Sequence, residues 1–400
     1  MLLYSTCYST YPDFYPGTVV PCMWEIQISS SIVLHATNAS MGGGGSKNND
    51  NDKSTESMAI QSTEKQPAEV DPVYEGPKIT ATSTQDFIVT TTLGKGSFGR
   101  VRLARHKESN TLWALKILKK KEVISHNAIE HVFREKKILH ALSHPFIVNM
   151  ALAFHDTCFV YIVLEFVQGG PFDTRLRGEG QLKDNESAFY TAQIVLIFEY
   201  MHAKYYLYRD LKPDNLILDM AGYVKLADFG FAVYCETQTK TLCGTPDYMA
   251  PEIIEKGGYG KGVDWWALGI VLCEMLTGKT PFVADDPIDT YKLILKNAPK
   301  WPSELEGVGK AAVKKFLTKS PLERMGNTKL GEDECKKHKF YKSIEWGRLL
   351  SRDLQAPYDP FVNFEDDTSN FDEYPESKGD PELPEYSNEH PDPFVDFDES

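Results

Sequence analysis

The chain has 400 residues, 42% hydrophobic and 25% charged, the composition of a soluble globular protein built as a compact body with tails. The formal net charge is −14, but sixteen Asp and Glu against one Lys lie after Arg352, leaving 42 basic and 41 acidic side chains before it. The acidity therefore belongs to the tail, which argues against nucleic acid as a partner without making the body acidic.

In chain order, residues 1–40 hold apolar patches such as Ser31-Ile32-Val33-Leu34 but no run long enough to cross a bilayer. The first Lys or Arg is Lys47, so the basic start of a secretory signal is missing. Met41-Gly42-Gly43-Gly44-Gly45-Ser46-Lys47 carries the Met-Gly-x-x-x-Ser pattern of N-myristoylation, which acts only on an N-terminal glycine. Two readings stand: a flexible glycine hinge, or a second start at Met41 that brings membrane contact through Gly42. Residues 46–85, rich in Ser, Asn, Asp, Lys and Gln, read as disordered linker. The seven cysteines (Cys7, Cys22, Cys158, Cys235, Cys243, Cys273, Cys335) show no CxxC pair or zinc spacing, so free thiols in a reducing compartment are expected. That places the chain in the cytoplasm, with the nucleus open.

Folded structure is expected from Asp86. Phe87-Ile88-Val89-Thr90 and Val101-Arg102-Leu103 alternate as strands do. Between them lies Leu93-Gly94-Lys95-Gly96-Ser97-Phe98-Gly99-Arg100-Val101, whose glycines let backbone amides approach phosphate oxygens with no Cβ in the way. GxGxxG alone also fits a dinucleotide fold. Here the next segment, Trp113-Ala114-Leu115-Lys116, reads as strand and not helix, which favours a hairpin over phosphates. From Asn127 to Leu142 apolar residues recur at helical spacing, placing Glu135 on an amphipathic helix. Val160 to Val167 is a short apolar strand ended by Gln168-Gly169-Gly170-Pro171, and helical patterns dominate from Asp184 to about Leu330.

Tyr208-Arg209-Asp210-Leu211-Lys212-Pro213-Asp214-Asn215, followed thirteen positions after Asn215 by Asp228-Phe229-Gly230, is the most informative stretch. It offers a carboxylate for a hydroxyl proton, a lysine for a phosphate and two oxygen ligands for magnesium. Phosphoryl transfer needs those parts, because it is catalysed by positioning and charge neutralisation with little covalent chemistry from the protein.

From about Asp86 to Tyr374 the chain resembles the AGC serine/threonine protein kinases, and among them the catalytic subunits of the cyclic-AMP-dependent kinases. The resemblance rests on Tyr208-Arg209-Asp210, Ala232 after Gly230-Phe231, Thr241-Leu242-Cys243-Gly244-Thr245-Pro246, and Ala250-Pro251-Glu252. It continues through Val263-Asp264-Trp265-Trp266-Ala267-Leu268-Gly269 and Asp367-Thr368-Ser369-Asn370-Phe371-Asp372. It implies an α+β bilobal kinase fold: a small β-rich lobe, a larger α-helical lobe, and transfer of the ATP γ-phosphate to Ser or Thr of basophilic protein substrates. The expected division is an unassigned extension over 1–85, a kinase domain over 86–340 and an acidic tail over 341–400.

The resemblance also implies roles. Asp210 would be the base, Lys212 would neutralise the transferred phosphoryl group, and Thr245 would position Asp210. Asn215 and Asp228 would hold Mg2+. Lys116, paired with Glu135, would hold the ATP phosphates beneath Gly94, Gly96, Ser97, Phe98 and Gly99. Leu93, Val101, Ala114 and Leu164 would wall the adenine, with the Glu165 carbonyl and Val167 amide at its edge. Thr241 would be phosphorylated, with Arg209 and His131 as phosphate partners; Glu252 would pair with Arg324. Phe371 and Tyr374 would fold over the cleft. Asp214, Asp247 and Glu274 would line the peptide groove and favour arginine upstream of the target, while Leu242, Pro246 and Met249 would receive an apolar residue after it.

Departures stand beside the match. Pro171 replaces a family glutamate, Asp214 and Asp247 replace longer glutamates, and Val233 replaces a lysine. These weaken arginine selection and activation-loop ordering without touching the chemistry. Cys243, two residues from Thr241, is a candidate for oxidation. Phe394-Val395-Asp396-Phe397-Asp398 resembles the AGC hydrophobic motif that docks on the small lobe; the alternative is an acidic tail with stray aromatics. A cyclic-GMP-dependent-kinase-like enzyme is the other catalytic reading, and a pseudokinase is disfavoured because Lys116, Asp210 and Asp228 are all present. Any cyclic-AMP-binding regulatory element would have to be a separate subunit, since 85 residues cannot hold a sensor domain of roughly 100 residues.

Overall fold

The structure, a computed structural model, describes residues 78–375 and 391–398. The Met41–Lys47 pattern, Cys7, Cys22 and residues 46–77 of the expected linker lie outside the described residues. The last residues of that linker are not disordered as expected: Ile79 and Ala81 pack against the small-lobe core, and Ser83 caps a turn at Thr84–Asp86.

Five antiparallel strands form the small lobe in the order β1-β2-β3-β5-β4. They are β1 (Phe87–Lys95), β2 (Gly99–His106), β3 (Leu112–Lys119), β4 (Met150–His155) and β5 (Phe159–Glu165). Their alternating apolar residues give the sheet one packed face, where Phe87, Trp113, Leu115, Phe154, Tyr161 and Val163 form a core. Gly99 is required by close approach: a Cβ there would lie 1.8 Å from the Ile117 carbonyl oxygen of β3. After α1 (Lys120–Ser125) comes α2 (Ile129–Ala141), which buries Val132, Ile138 and Leu139 with Glu135.

The larger lobe is built on helices α3 (Phe172–Glu179), α4 (Asp184–Ala203), α5 (Pro251–Ile254), α6 (Gly262–Thr277), α7 (Pro287–Leu295) and α8 (Gly307–Phe316). α6 is apolar almost all round and correspondingly buried along nearly its whole length. It ends at Gly278, whose φ of 69° is the left-handed conformation that closes a helix, its N–H donating to the Glu274 carbonyl. Set among the helices are short strands that the sequence did not announce: β6 (Tyr206–Leu207), β7 (Leu216–Leu218), β8 (Val224–Leu226) and β9 (Val233–Tyr234). β6 pairs with β9, and β7 with β8. The turns between them carry Asp210, Asn215 and Asp228.

Candidate active site

A cleft is lined by Leu93, Val101, Ala114, Lys116, Glu135, Leu164, Glu165, Val167 and Asp228, bringing together residues expected at the nucleotide from β1, β2, β3, α2, the hinge and the turn after β8. Val148, Ile217 and Phe371 join them. Phe371 comes from the C-terminal segment and stacks on Phe166, ring centroids 6.0 Å apart. Tyr374 is half-buried. Lys116 Nζ lies 2.5 Å from Glu135 Oε1 and 3.6 Å from Asp228 Oδ1. Burial alone would discharge this lysine, but Glu135 and Asp228 outweigh it and hold its pKa above the ordinary value. Phe98, at the tip of the glycine hairpin, turns inward and meets His126 edge-on.

Asp210 stands at the centre of a closed hydrogen-bond set. Its Oδ1 accepts from Thr245 N (3.1 Å) and Thr245 Oγ1 (2.9 Å). Its Oδ2 accepts from Asn215 Nδ2 (3.0 Å) and lies 3.2 Å from Lys212 Nζ. Burial raises the Asp210 pKa, while Lys212, Thr245 and Asn215 oppose the rise. Asn215 Nδ2 also donates to the Asp210 carbonyl (2.8 Å), which commits the amide nitrogen and leaves Oδ1 as the end for other use. An amide oxygen and the Asp228 carboxylate form a hard oxygen donor set suited to a divalent cation such as Mg2+.

The activation segment is tied down through Tyr259. Arg209 donates from Nε to the Phe231 carbonyl (2.7 Å) and from Nη1 to Tyr259 Oη (3.1 Å), and Tyr259 Oη donates to the Thr241 carbonyl (2.5 Å). Thr241 itself is exposed. His131 is half-buried, and its pKa falls below the ordinary value through burial and then through Arg134 and Arg209. The expectation of a reactive Cys243 is not met: the thiol is buried, and burial raises its pKa, which disfavours the reactive thiolate.

Glu252 and Arg324 pair in bidentate fashion, Nη1–Oε1 2.5 Å and Nη2–Oε2 3.0 Å. Asp214, Asp247 and Glu274 form one acidic neighbourhood. Burial, with the charges of Asp214, Asp247 and Asp173, pushes the Glu274 pKa up to about 7, although Tyr248 Oη donates to its Oε2 at 2.6 Å. Pro171 stands at the N-terminal end of α3 and itself offers no carboxylate.

The protein kinase domain family matches residues 87–341. The chain belongs to the protein kinase family. It is 41% identical over 302 residues to the cAMP-dependent protein kinase catalytic subunit PRKX of Homo sapiens, covering 76% of this chain and 84% of that protein. It is 39% identical over 316 residues to the cAMP-dependent protein kinase type 3 of Saccharomyces cerevisiae, covering 79% and 78%. A cAMP-dependent protein kinase catalytic subunit-like protein of Caenorhabditis elegans is 41% identical over 285 residues, covering 71% and 72%. This kinase is an ATP-dependent serine/threonine enzyme, and its family implies a divalent metal with the nucleotide.

Three features of the kinase site were not assigned from the sequence. Asp264, fully buried in α6, accepts from Tyr208 N (3.0 Å) and Arg209 N (2.8 Å) and lies 2.7 Å from His202 Nε2, so it holds the turn carrying Asp210. Tyr259 has no local motif at all. Asp173, in the first turn of α3, is buried against Arg177 (3.0 Å) and adds a carboxylate near Asp214 and Glu274.

The C-terminal segment docks on the small lobe of the kinase. Phe394 and Phe397 are fully buried and meet the Phe133 ring of α2 at 5.8 and 5.2 Å. Asp392 Oδ2 accepts from Lys120 Nζ at 2.6 Å, Lys136 Nζ donates to the Phe397 carbonyl at 2.6 Å, and Asp398 faces His155 at 3.8 Å. Fully burying a Phe side chain contributes about 1.5–3 kcal/mol. The docking reading of the tail therefore describes this structure, and the stray-aromatic alternative does not.

Proposed function

We propose that the chain transfers the γ-phosphate of MgATP to Ser or Thr in protein substrates carrying arginine upstream of the target. The observation that carries this is the convergence of Lys212, Thr245 and Asn215 on one carboxylate, Asp210, across the cleft from the Lys116–Glu135 pair. Asp210 Oδ1 or Oδ2 orients the substrate hydroxyl and takes its proton as the hydroxyl oxygen bonds to the γ-phosphorus. The bond from that phosphorus to the bridging oxygen breaks and ADP leaves. Lys212 sits against the same carboxylate and faces the transferred group, so its ammonium neutralises charge that develops there. Asn215 Oδ1 and the Asp228 carboxylate would hold Mg2+, which would supply charge neutralisation at the phosphates. Lys116 holds the phosphates, while the Glu165 carbonyl and Val167 amide meet the adenine edge.

Asp214, Asp247 and Glu274 supply the arginine subsites, since a guanidinium binds carboxylates through paired hydrogen bonds. Thr241 is the activating phosphorylation site, with Arg209 and His131 as the partners of its phosphate; the exposure of Thr241 and the Tyr259 link from its carbonyl to Arg209 support this. The names of the relatives support a separate cyclic-AMP-binding regulatory subunit as partner; a cytoplasmic or nuclear site of action rests on the cysteine spacing of the sequence alone. Transfer of labelled γ-phosphate from ATP to an arginine-containing serine peptide tests the reading. Undiminished transfer by a folded Asp210→Asn variant would overturn it, and a pull-down releasable by cyclic AMP tests the partner.

A further inference from the structure

Lys225 lies in β8, three residues before Asp228, yet its ammonium is turned towards the hinge. Nζ stands 2.7 Å from Glu165 Oε1, and the two side chains are only 5% and 12% exposed. The same oxygen accepts from Asn149 N and Asn149 Nδ2, each at 2.9 Å, and Glu165 N donates to the Asn149 carbonyl at 2.9 Å. The residue that ends β5 is therefore held through both main chain and side chain. The segment before β4 is in turn bonded to β8: Leu226 N donates to the Phe146 carbonyl (2.8 Å), and Val148 N to the Leu226 carbonyl (2.9 Å). Glu165, Val148 and Asp228 all line the nucleotide cleft, so this knot forms its back wall.

A buried ion pair adds little net stability, because desolvation offsets the attraction, but it restricts where its two partners can stand. We propose that Lys225 is a positioning residue for the nucleotide: through Glu165 it registers the hinge backbone against β8, and so sets the spacing between the adenine-facing peptide groups and Asp228. This rests on the nucleotide site proposed above. With the ion pair broken, the hinge loses its register while Asp210, Lys212 and Thr245 keep theirs. Binding of ATP weakens and transfer from bound ATP continues, which separates KM from kcat.

The test uses the full chain with a saturating peptide substrate. Lys225→Met should raise KM for ATP about tenfold, the effect of losing one charge-assisted hydrogen bond, with kcat held within about twofold. KM for the peptide should not move, and Lys225→Arg should restore most of the ATP affinity. An unchanged KM for ATP in Lys225→Met, or an Arg variant as impaired as the Met variant, overturns the proposal. Should Lys225→Met not fold, Glu165→Gln keeps the side-chain shape and removes the ion pair; it should raise KM for ATP alike, and an unchanged value again overturns the idea. An inactive wild-type chain would instead count against the proposed function, so the two failures are distinguishable.

Discussion

Lys212 Nζ donates to Thr245 Oγ1 at 2.9 Å, and the same hydroxyl donates on to Asp210 Oδ1. One threonine thus fixes the spacing between the ammonium and the carboxylate from across the activation segment. Thr245→Ala removes both bonds at once. We expect kcat to fall at least about tenfold, from the loss of one charge-assisted hydrogen bond, with KM for ATP little changed. Asp210→Asn should cost about 100-fold or more, the usual scale for losing a positioned base. Steady-state kinetics on folded variants, checked by circular dichroism, decide both.

Thr241→Ala should lower activity by loosening the segment that frames the peptide site. The loss should be partial, because Tyr259 already ties the Thr241 carbonyl to Arg209 without any phosphate. Tyr259→Phe in the Thr241→Ala background should then cost more than in the parent. Equal costs in the two backgrounds would show that the Tyr259 bridge does not support the unphosphorylated loop.

Glu274 gives a pH signature. Its carboxyl is pushed up from 4.5 to about 7, first by burial and then by neighbouring carboxylates. Between those values the folded protein holds a proton that the unfolded chain has lost, so this group's contribution to stability declines as pH rises through the window. Arginine binding runs the opposite way, since it needs the ionised form. KM for a peptide with arginine two residues upstream should rise by up to about tenfold between roughly pH 8 and pH 6, following the ionised fraction. Glu274→Gln should weaken the peptide and flatten the profile; a profile unchanged in that variant would assign the effect elsewhere.

Substrate choice should show the absence of a carboxylate at Pro171. Selection of arginine two positions upstream should persist through Asp214 and Glu274. Selection three positions upstream should be weaker by about tenfold relative to a family member with glutamate there, the scale of one charge-assisted hydrogen bond. Restoring it with Pro171→Glu in a positional peptide library is the direct measurement. Equal use of acidic and basic residues two positions upstream would refute the groove assignment.

The parts that were legible in the sequence are those whose chemistry needs neighbours close along the chain. The glycine hairpin, the Asp210–Asn215 turn, and Glu135 on an amphipathic helix each occupy one short window; in the structure Leu93 and Val101 flanking the hairpin line one cleft with Glu135, and Asn215 bonds to Asp210. Strands of two or three residues carry no periodicity, which is why β6 to β9 were missed inside a stretch read as helical. Asp264 was quoted only as part of a motif, because the groups it supports lie 55 and 56 positions away and nothing local marks the contact. Asp173 and Lys225 resemble ordinary surface charges in the sequence. Only the packing of α3 and β8 shows that both are buried.

The bond between Lys120 and Asp392 joins positions 272 apart on one chain, with the two docked phenylalanines beside it. The tail is therefore a ligand present at a local concentration that dilution cannot lower. Tethering on one chain gives an effective concentration on the order of millimolar, and lengthening a tether reduces it only slowly. A free peptide or partner protein seeking the same groove beside Phe133 must outcompete that value. Its measured affinity for the intact chain should consequently be far weaker than for a chain ending before Asp392.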